Sequence, residues 1–213
     1  MRLQRLRAVL PICAIASTAI VAAAPADLFD EIYAKGRPFE SSLRTLTARF
    51  TETTTSTLLT RPLVARGTLA VVRPDRVVLQ YDDPDRRTVL IEGDVMRRVW
   101  PAQSVDQKTN IGAAQRRIQQ YFVSKTPAEL RGHFDIGADA AADAPGTWLV
   151  TLSPKRKQIR EGLSRLELWL DQTTVMLAKM RMTFPNGDTK QMVFEDVRVN
   201  PDIDPSMFQI KAP

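Results

Sequence analysis

Residues 165–171 read RLELWLD and residues 176–184 read MLAKMRMTF, with QTTV between them. In the first run Leu166, Leu168 and Leu170 alternate with Arg165, Glu167, Trp169 and Asp171. In the second, Met176, Ala178, Met180, Met182 and Phe184 take every second place. A period of two marks a strand with one apolar face, because successive side chains leave a β-strand on opposite sides. Asp171 to Thr174 forms the turn between them, and Pro185-Asn186-Gly187-Asp188 forms the next, of the kind that Asn-Gly favours. Gln191 to Val199 is then the returning strand. Strands this closely spaced pair antiparallel.

The same rhythm extends outward in both directions. Gly67, Leu69 and Val71 share one side while Thr68, Ala70 and Val72 take the other, and Val77, Leu79 and Tyr81 oppose Arg76, Val78 and Gln80. From Arg44 to about Phe194 the chain runs as short alternating stretches broken by Gly, Pro, Asn and Asp, which predicts about ten antiparallel strands. Helical spacing occurs in three places. Asp27 to Lys35 carries Leu28, Ile32 and Tyr33 with Gly36 as a stop; Ala113 to Val123 carries Ile118, Tyr121 and Phe122; and a short turn starts at Pro127. Gly137 to Gly146 is expected to be a flexible surface loop. A closed barrel has no need of helices inside it, so the fold class is mainly β with α: a half-closed antiparallel sheet with helices across its concave face. Any part of that concavity the helices leave unfilled is an apolar cavity, suited to apolar ligands.

The chain has 213 residues, with 30 Lys plus Arg against 24 Asp plus Glu, a formal charge of +6, one Cys and one His. Part of that charge belongs to the first 26 residues. Arg2, Arg5 and Arg7 precede an apolar run from Ala8 to Ala24, and Ala24-Pro25-Ala26 places small residues three and one before a cut. This is the pattern of a cleaved secretory signal, the alternative being an uncleaved membrane anchor, which the roughly 17-residue run just supports against the usual need for about 20. The domain organisation is therefore a signal peptide over 1–26 and a single domain over 27–213 that works in the periplasm. Removal of the three arginines leaves 27 basic and 24 acidic residues, a net +3. Cys13 lies inside the signal behind Leu10-Pro11-Ile12, which does not suit lipidation, and a mature chain without Cys suits an oxidising compartment.

Motifs for catalysis are absent: there is no nucleophile elbow, phosphate loop, dinucleotide fingerprint, HExxH helix or paired-Cys metal motif. His133 is the single imidazole on which a hydrolase would depend, and Arg131-Gly132-His133-Phe134 places it at a strand edge as a structural residue. The chain reads as a non-enzyme without cofactor or metal. Lys155-Arg156-Lys157 with Arg160 reads as a solvated hairpin loop, the alternative being a patch for an acidic partner or an anionic membrane. An exported chain of modest charge is a poor candidate for nucleic acid.

An ordered set of motifs resembles the LolA family of periplasmic lipoprotein carriers. It comprises Thr47-Ala48-Arg49-Phe50-Thr51-Glu52, then Leu69 to Asp75 with Tyr81 and Pro84, Ile91-Glu92-Gly93-Asp94, Val99-Trp100-Pro101, Leu152-Ser153-Pro154-Lys155, and Phe194-Glu195-Asp196-Val197 through Asn200 and Phe208. The resemblance implies an incomplete barrel of about eleven strands under a helical lid. It also implies a monomer that takes an acylated cargo from an inner-membrane ABC transporter and delivers it to an outer-membrane receptor. The Arg of the family's Arg-Pro motif, tied to lid closure, falls on Arg73, whose guanidinium, buried or half-buried, would need acceptors such as lid backbone carbonyls. The expected acyl-binding surface is Phe50, Leu69, Val71, Leu79, Ile91, Met96, Leu168, Met180, Met182 and Phe194. Methionine suits such a wall because its flexible thioether conforms to chains of several shapes. At roughly 0.8 kcal/mol per buried CH₂ affinity is easily reached, so release is the harder task. The chain departs from the family at Leu79, where well-known members carry Trp, at Arg97 and Arg98, where aromatics are common, and at Pro62 to Gly67, which looks like divergent members. Lipoprotein, glycolipid or another acylated cargo therefore stay open, as does a lipid-sensing regulator of the same fold.

Overall fold

A computed structural model describes residues 27–113, 116 and 125–210. Eleven antiparallel strands form one sheet: β1 (Thr45–Thr55), β2 (Leu63–Val72), β3 (Arg76–Asp83), β4 (Arg87–Glu92), β5 (Val95–Trp100), β6 (Val105–Asn110), β7 (Phe134–Ala140), β8 (Thr147–Pro154), β9 (Arg165–Asp171), β10 (Leu177–Thr183) and β11 (Thr189–Val199). Their order is β6-β5-β4-β3-β2-β1-β11-β10-β9-β8-β7. Every hairpin neighbour pairs with its successor, and the first strand pairs with the last. The edges β6 and β7 do not pair, so the barrel is incomplete and the 111–133 connection links one edge to the other. The helix expected over 113–123 lies outside the described residues except at Ala113 and Arg116.

Helix α1 (Leu28–Ser42) starts at Asp27, whose carboxylate accepts the Phe29 N–H at 3.0 Å, with Asp30 and Glu31 complementing the N-terminal dipole. Gly36 does not stop it, as the sequence reading expected. The helix continues through Pro38 to the Leu43 N–H, which caps the Phe39 carbonyl. A Cβ at Gly36 would make only an ordinary contact, with the Val175 side chain at 3.5 Å. Helix α2 (Pro127–His133) carries a reciprocal capping box between Thr126 and Glu129. Arg131 on α2 pairs with Asp27 at 2.7 Å and Asp30 at 2.8 Å, tying the two helices together. His133 ends α2 directly before the edge strand β7, and its carbonyl accepts the Lys155 N–H at 2.9 Å. Phe29, Ile32 and Leu130 of these helices pack on Phe134, Val150 and Leu152 of the concave face, each buried side chain contributing about 1.5–3 kcal/mol.

One surface segment differs from its sequence reading and a second gains a local turn. Gly137 to Ala140 belongs to β7, and the remaining loop is anchored: Asp143 accepts from Trp169 Nε1 at 2.8 Å and from Lys179 Nζ at 2.7 Å. Trp169 thereby lies 2% exposed on the convex face. The Lys155 to Arg160 stretch is the exposed connection between the paired strands β8 and β9, as its solvated-hairpin reading has it, with one addition. It folds into a helical turn, α3 (Lys157–Arg160), pinned by buried Ile159. The C-terminal segment also lies on the convex face, where Phe208 packs with Ala70, Val78 and Leu90. No described helix is long and apolar enough to cross a membrane.

A shift in register between Arg66 and Gly67 brings the β3 backbone close to β2. A Cβ at Gly67 would stand 2.0 Å from the Gln80 carbonyl oxygen. Gly67→Ala is expected to lower stability by about 1–3 kcal/mol, read as a reduced urea midpoint at constant m. An unchanged midpoint would contradict this packing.

Candidate functional site

Strand register decides which side chains share the concavity. Leu69 opposes Leu79, Ile91 opposes Met96, Phe50 opposes Phe194, and Met180 opposes Leu168. Directly opposite residues project to the same side. Alternation then brings Val71 to Leu69 and Met182 to Met180, so all ten residues of the expected surface stand on one face. They are not equivalent. Phe50, Leu69, Leu79, Met180 and Phe194 cluster with Ala65, Tyr81, Val89 and Met192. Leu168 instead packs beneath α1, and Ile91, Met96 and Met182 are half-buried elsewhere on the face.

The most apolar cavity, of about 240 Å³, is lined by Leu69, Val71 and Phe194 together with Phe39, Leu46, Ala48, Met176, Leu177 and Val197. A second, of about 410 Å³, lies between Gly36, Arg37 and Glu40 of α1 and Val150, Leu152, Leu168 and Leu170 of β8 and β9. Phe39 faces one cavity while Gly36 and Glu40 face the other, so the C-terminal half of α1 separates them. Sequence reasoning missed Phe39 because Gly36 was read as the helix end. It missed Val197 because a bulge at Asp196, with φ of 51°, reverses the alternation that starts from Phe194. Leu46 and Ala48 alternate with Phe50 and carried a readable signal.

Arg73 follows β2 immediately, and its Nη1 donates to the Glu40 carbonyl of α1 at 2.8 Å. Arg73 is exposed, where the sequence reading had a buried or half-buried guanidinium, because it reaches α1 from the rim of the concavity. The acceptor is nonetheless a backbone carbonyl in the last turn of the helix, where carbonyls lack intrahelical partners.

At the opposite end of the face the lining turns polar. Glu52, 6% exposed, accepts from Tyr81 Oη at 3.0 Å and from Lys190 Nζ at 3.1 Å, and Arg87 Nη2 lies 3.9 Å from the same oxygen that Lys190 holds. The Arg87 guanidinium stacks 3.7 Å from the Tyr81 ring centroid. Burial, and then the neighbouring Glu52 charge, push the Tyr81 hydroxyl up to about 12.

The sequence profile of the family described as "Outer membrane lipoprotein carrier protein LolA" matches residues 41–211. The chain belongs to the LolA family. An uncharacterized conserved protein from Thermus thermophilus has a similar structure, with a TM-score of 0.52 at 7% identity over 87% of this chain and 95% of that one. A LolA superfamily protein from Nitrosomonas europaea gives 0.42 at 9% identity over 84% and 96%. MucB in its complex with MucA from Pseudomonas aeruginosa gives 0.49 at 15% identity over 86% of this chain and 61% of that one. No curated protein matches the chain in sequence. In this LolA-family chain, therefore, the open sheet, α1 and the concave apolar lining are the features a function has to use.

Proposed function

We propose that this protein is an exported carrier that holds the acyl chains of a lipoprotein, or of another acylated cargo, against the concave face and moves it from the inner to the outer membrane. The observation that carries the reading is the continuous apolar lining of that face, ending in the cavity under Phe39. A cleaved signal over 1–26 and a working place in the periplasm belong to the same proposal, as do an ABC transporter as donor and an outer-membrane receptor as acceptor. Binding and release need no bond to be made or broken, so no catalytic group is assigned.

Magnitudes indicate how α1 takes part. A cavity of about 240 Å³ lies below the roughly 300–1,000 Å³ of sites that enclose even drug-sized ligands. Movement of α1 would join this cavity to the one on its other side and enlarge the room for acyl chains. Cargo then binds the open state in competition with α1, which keeps a strongly apolar interaction reversible. The Arg73 to Glu40 bond favours closure. Its loss in Arg73→Leu is worth about 1 kcal/mol, so affinity for an acyl ligand rises about fivefold and release slows. Unchanged or weaker binding by that variant would exclude Arg73 as a closing contact.

Transfer between vesicles tests the whole reading. Donor liposomes carrying a fluorescent triacylated lipopeptide should lose it to acceptor liposomes faster when the protein is added, with transfer proportional to protein concentration. A rate equal to that of buffer would overturn the carrier proposal.

A further inference from the structure

We propose that the polar end of the concave face is a binding site for a single anionic group, a carboxylate or phosphoester, attached to the acyl chains of the ligand. This site rests on the carrier reading and adds to it the charge of the cargo. Two cations meet at Glu52, and strand register places a third on the same face. Arg87 and Lys190 share one oxygen of Glu52, so two positive charges are balanced by one negative charge. Arg98 is the third. It opposes Val89 on β4 and Gln107 on β6, which puts it on the concave side two residues along from Arg87 on the neighbouring strand. Its Nε is buried and has no hydrogen-bond partner among the described residues, and its ring contact is with Trp100, 5.9 Å from the guanidinium carbon. Neither cross-strand neighbour is an acid.

A buried guanidinium nitrogen without an acceptor is costly, and a ligand oxygen removes that cost. The apolar lining leads directly to it: Phe194 and Leu69 from the cavity, then Phe50 with its ring 5.0 Å from that of Tyr81, then the Arg87 guanidinium. An amphiphile with its chains along Leu69, Phe50 and Leu79 would present its polar end to Arg87, Arg98 and Lys190. Glu52 fixes Lys190 and Arg87 in place and leaves one net charge from that trio, so the site favours an anion over a zwitterion.

The probes that test this are cis-parinaric acid and its methyl ester, which have the same fluorescent chain and differ in one charge. Wild-type protein should bind the acid about tenfold more tightly than the ester, as expected for a charge-assisted hydrogen bond. Arg98→Met should bring the ratio close to one while leaving ester affinity unchanged, and inorganic phosphate should weaken binding of the acid but not of the ester. Equal binding of acid and ester by wild type would overturn the anion site while leaving the carrier reading intact. Equal loss of both ligands in Arg98→Met would also overturn it, by showing a packing role. Failure of both probes to bind at all would remove the carrier reading together with the site.

Discussion

Leu69→Glu should abolish acyl binding, lowering affinity by more than about 100-fold in a fluorescent fatty-acid titration, while the protein keeps its far-ultraviolet circular dichroism. Leu69 lines the cavity and is half-buried, opposite Leu79 and in one cluster with Phe50, Met180 and Phe194. A carboxylate at this place has no cation on the adjoining concave positions to pair with. Bringing an acyl chain over it requires its desolvation, at about 3 kcal/mol or more, which corresponds to the hundredfold loss. Leu69→Met conserves volume and apolarity and should bind as wild type does. Leu177→Glu enters the same cavity from β10 and gives a second variant should the first fail to fold. Wild-type affinity in both glutamate variants would contradict the assignment of this cavity to the ligand.

The second large effect concerns stability at high pH. Tyr81 is pushed up to about 12 by burial and by the charge of Glu52, whereas in the unfolded chain it titrates near about 10. Between these values the unfolded chain releases the phenolic proton and the native protein retains it, so the native state binds more protons and stability falls as pH rises. The contribution is fully present below about pH 10 and is lost as pH climbs through about 12, amounting to about 2–3 kcal/mol over the window. Urea titrations at several pH values should show this decline in wild type and a shallower one in Tyr81→Phe. Identical slopes for the two proteins would show that the Tyr81 to Glu52 contact does not govern alkaline unfolding.

Much of the sheet was legible because alternation survives wherever one face is apolar: Leu166, Leu168 and Leu170 against Arg165 and Glu167 reads the same way in sequence and in structure. Legibility failed where both faces are covered. Trp169, Val78 and Leu90 lie buried on the convex side beneath the Asp143 loop and the C-terminal segment, and a period of two cannot say what will come to cover them. It failed also at bulges. The extra residue at Asp196 carries Val197 to the concave side, and no composition signal announces a change of parity. Helix α1 was shortened in the sequence reading because Gly36 carries the local mark of a stop, and Pro38 inside the helix does not end it either. Tertiary contact of Phe39 with the sheet outweighs them.

The candidate site was legible as a face and not as a cavity. Register gathers the ten expected residues on one side, yet only Leu69, Val71 and Phe194 among them line the space beneath Phe39, and Leu168 belongs to the space on the other side of α1. Spacing along a strand fixes direction, whereas distance to a helix depends on how the sheet curves. Arg73 was found through family resemblance and turned out exposed. Arg87 and Lys190 gave no signal, because each meets Glu52 from a strand far from it in sequence. Arg98 had stood out only as a departure from the family pattern.

Occupancy of the concave face by acyl chains is tested most directly by native mass spectrometry of the protein isolated gently from the cell envelope of its source. The expected spectrum shows one acylated molecule bound per chain in wild type, and the bare protein for Leu69→Glu isolated in the same way. Bare protein alone in the wild-type spectrum, or an adduct retained equally by Leu69→Glu, would contradict it.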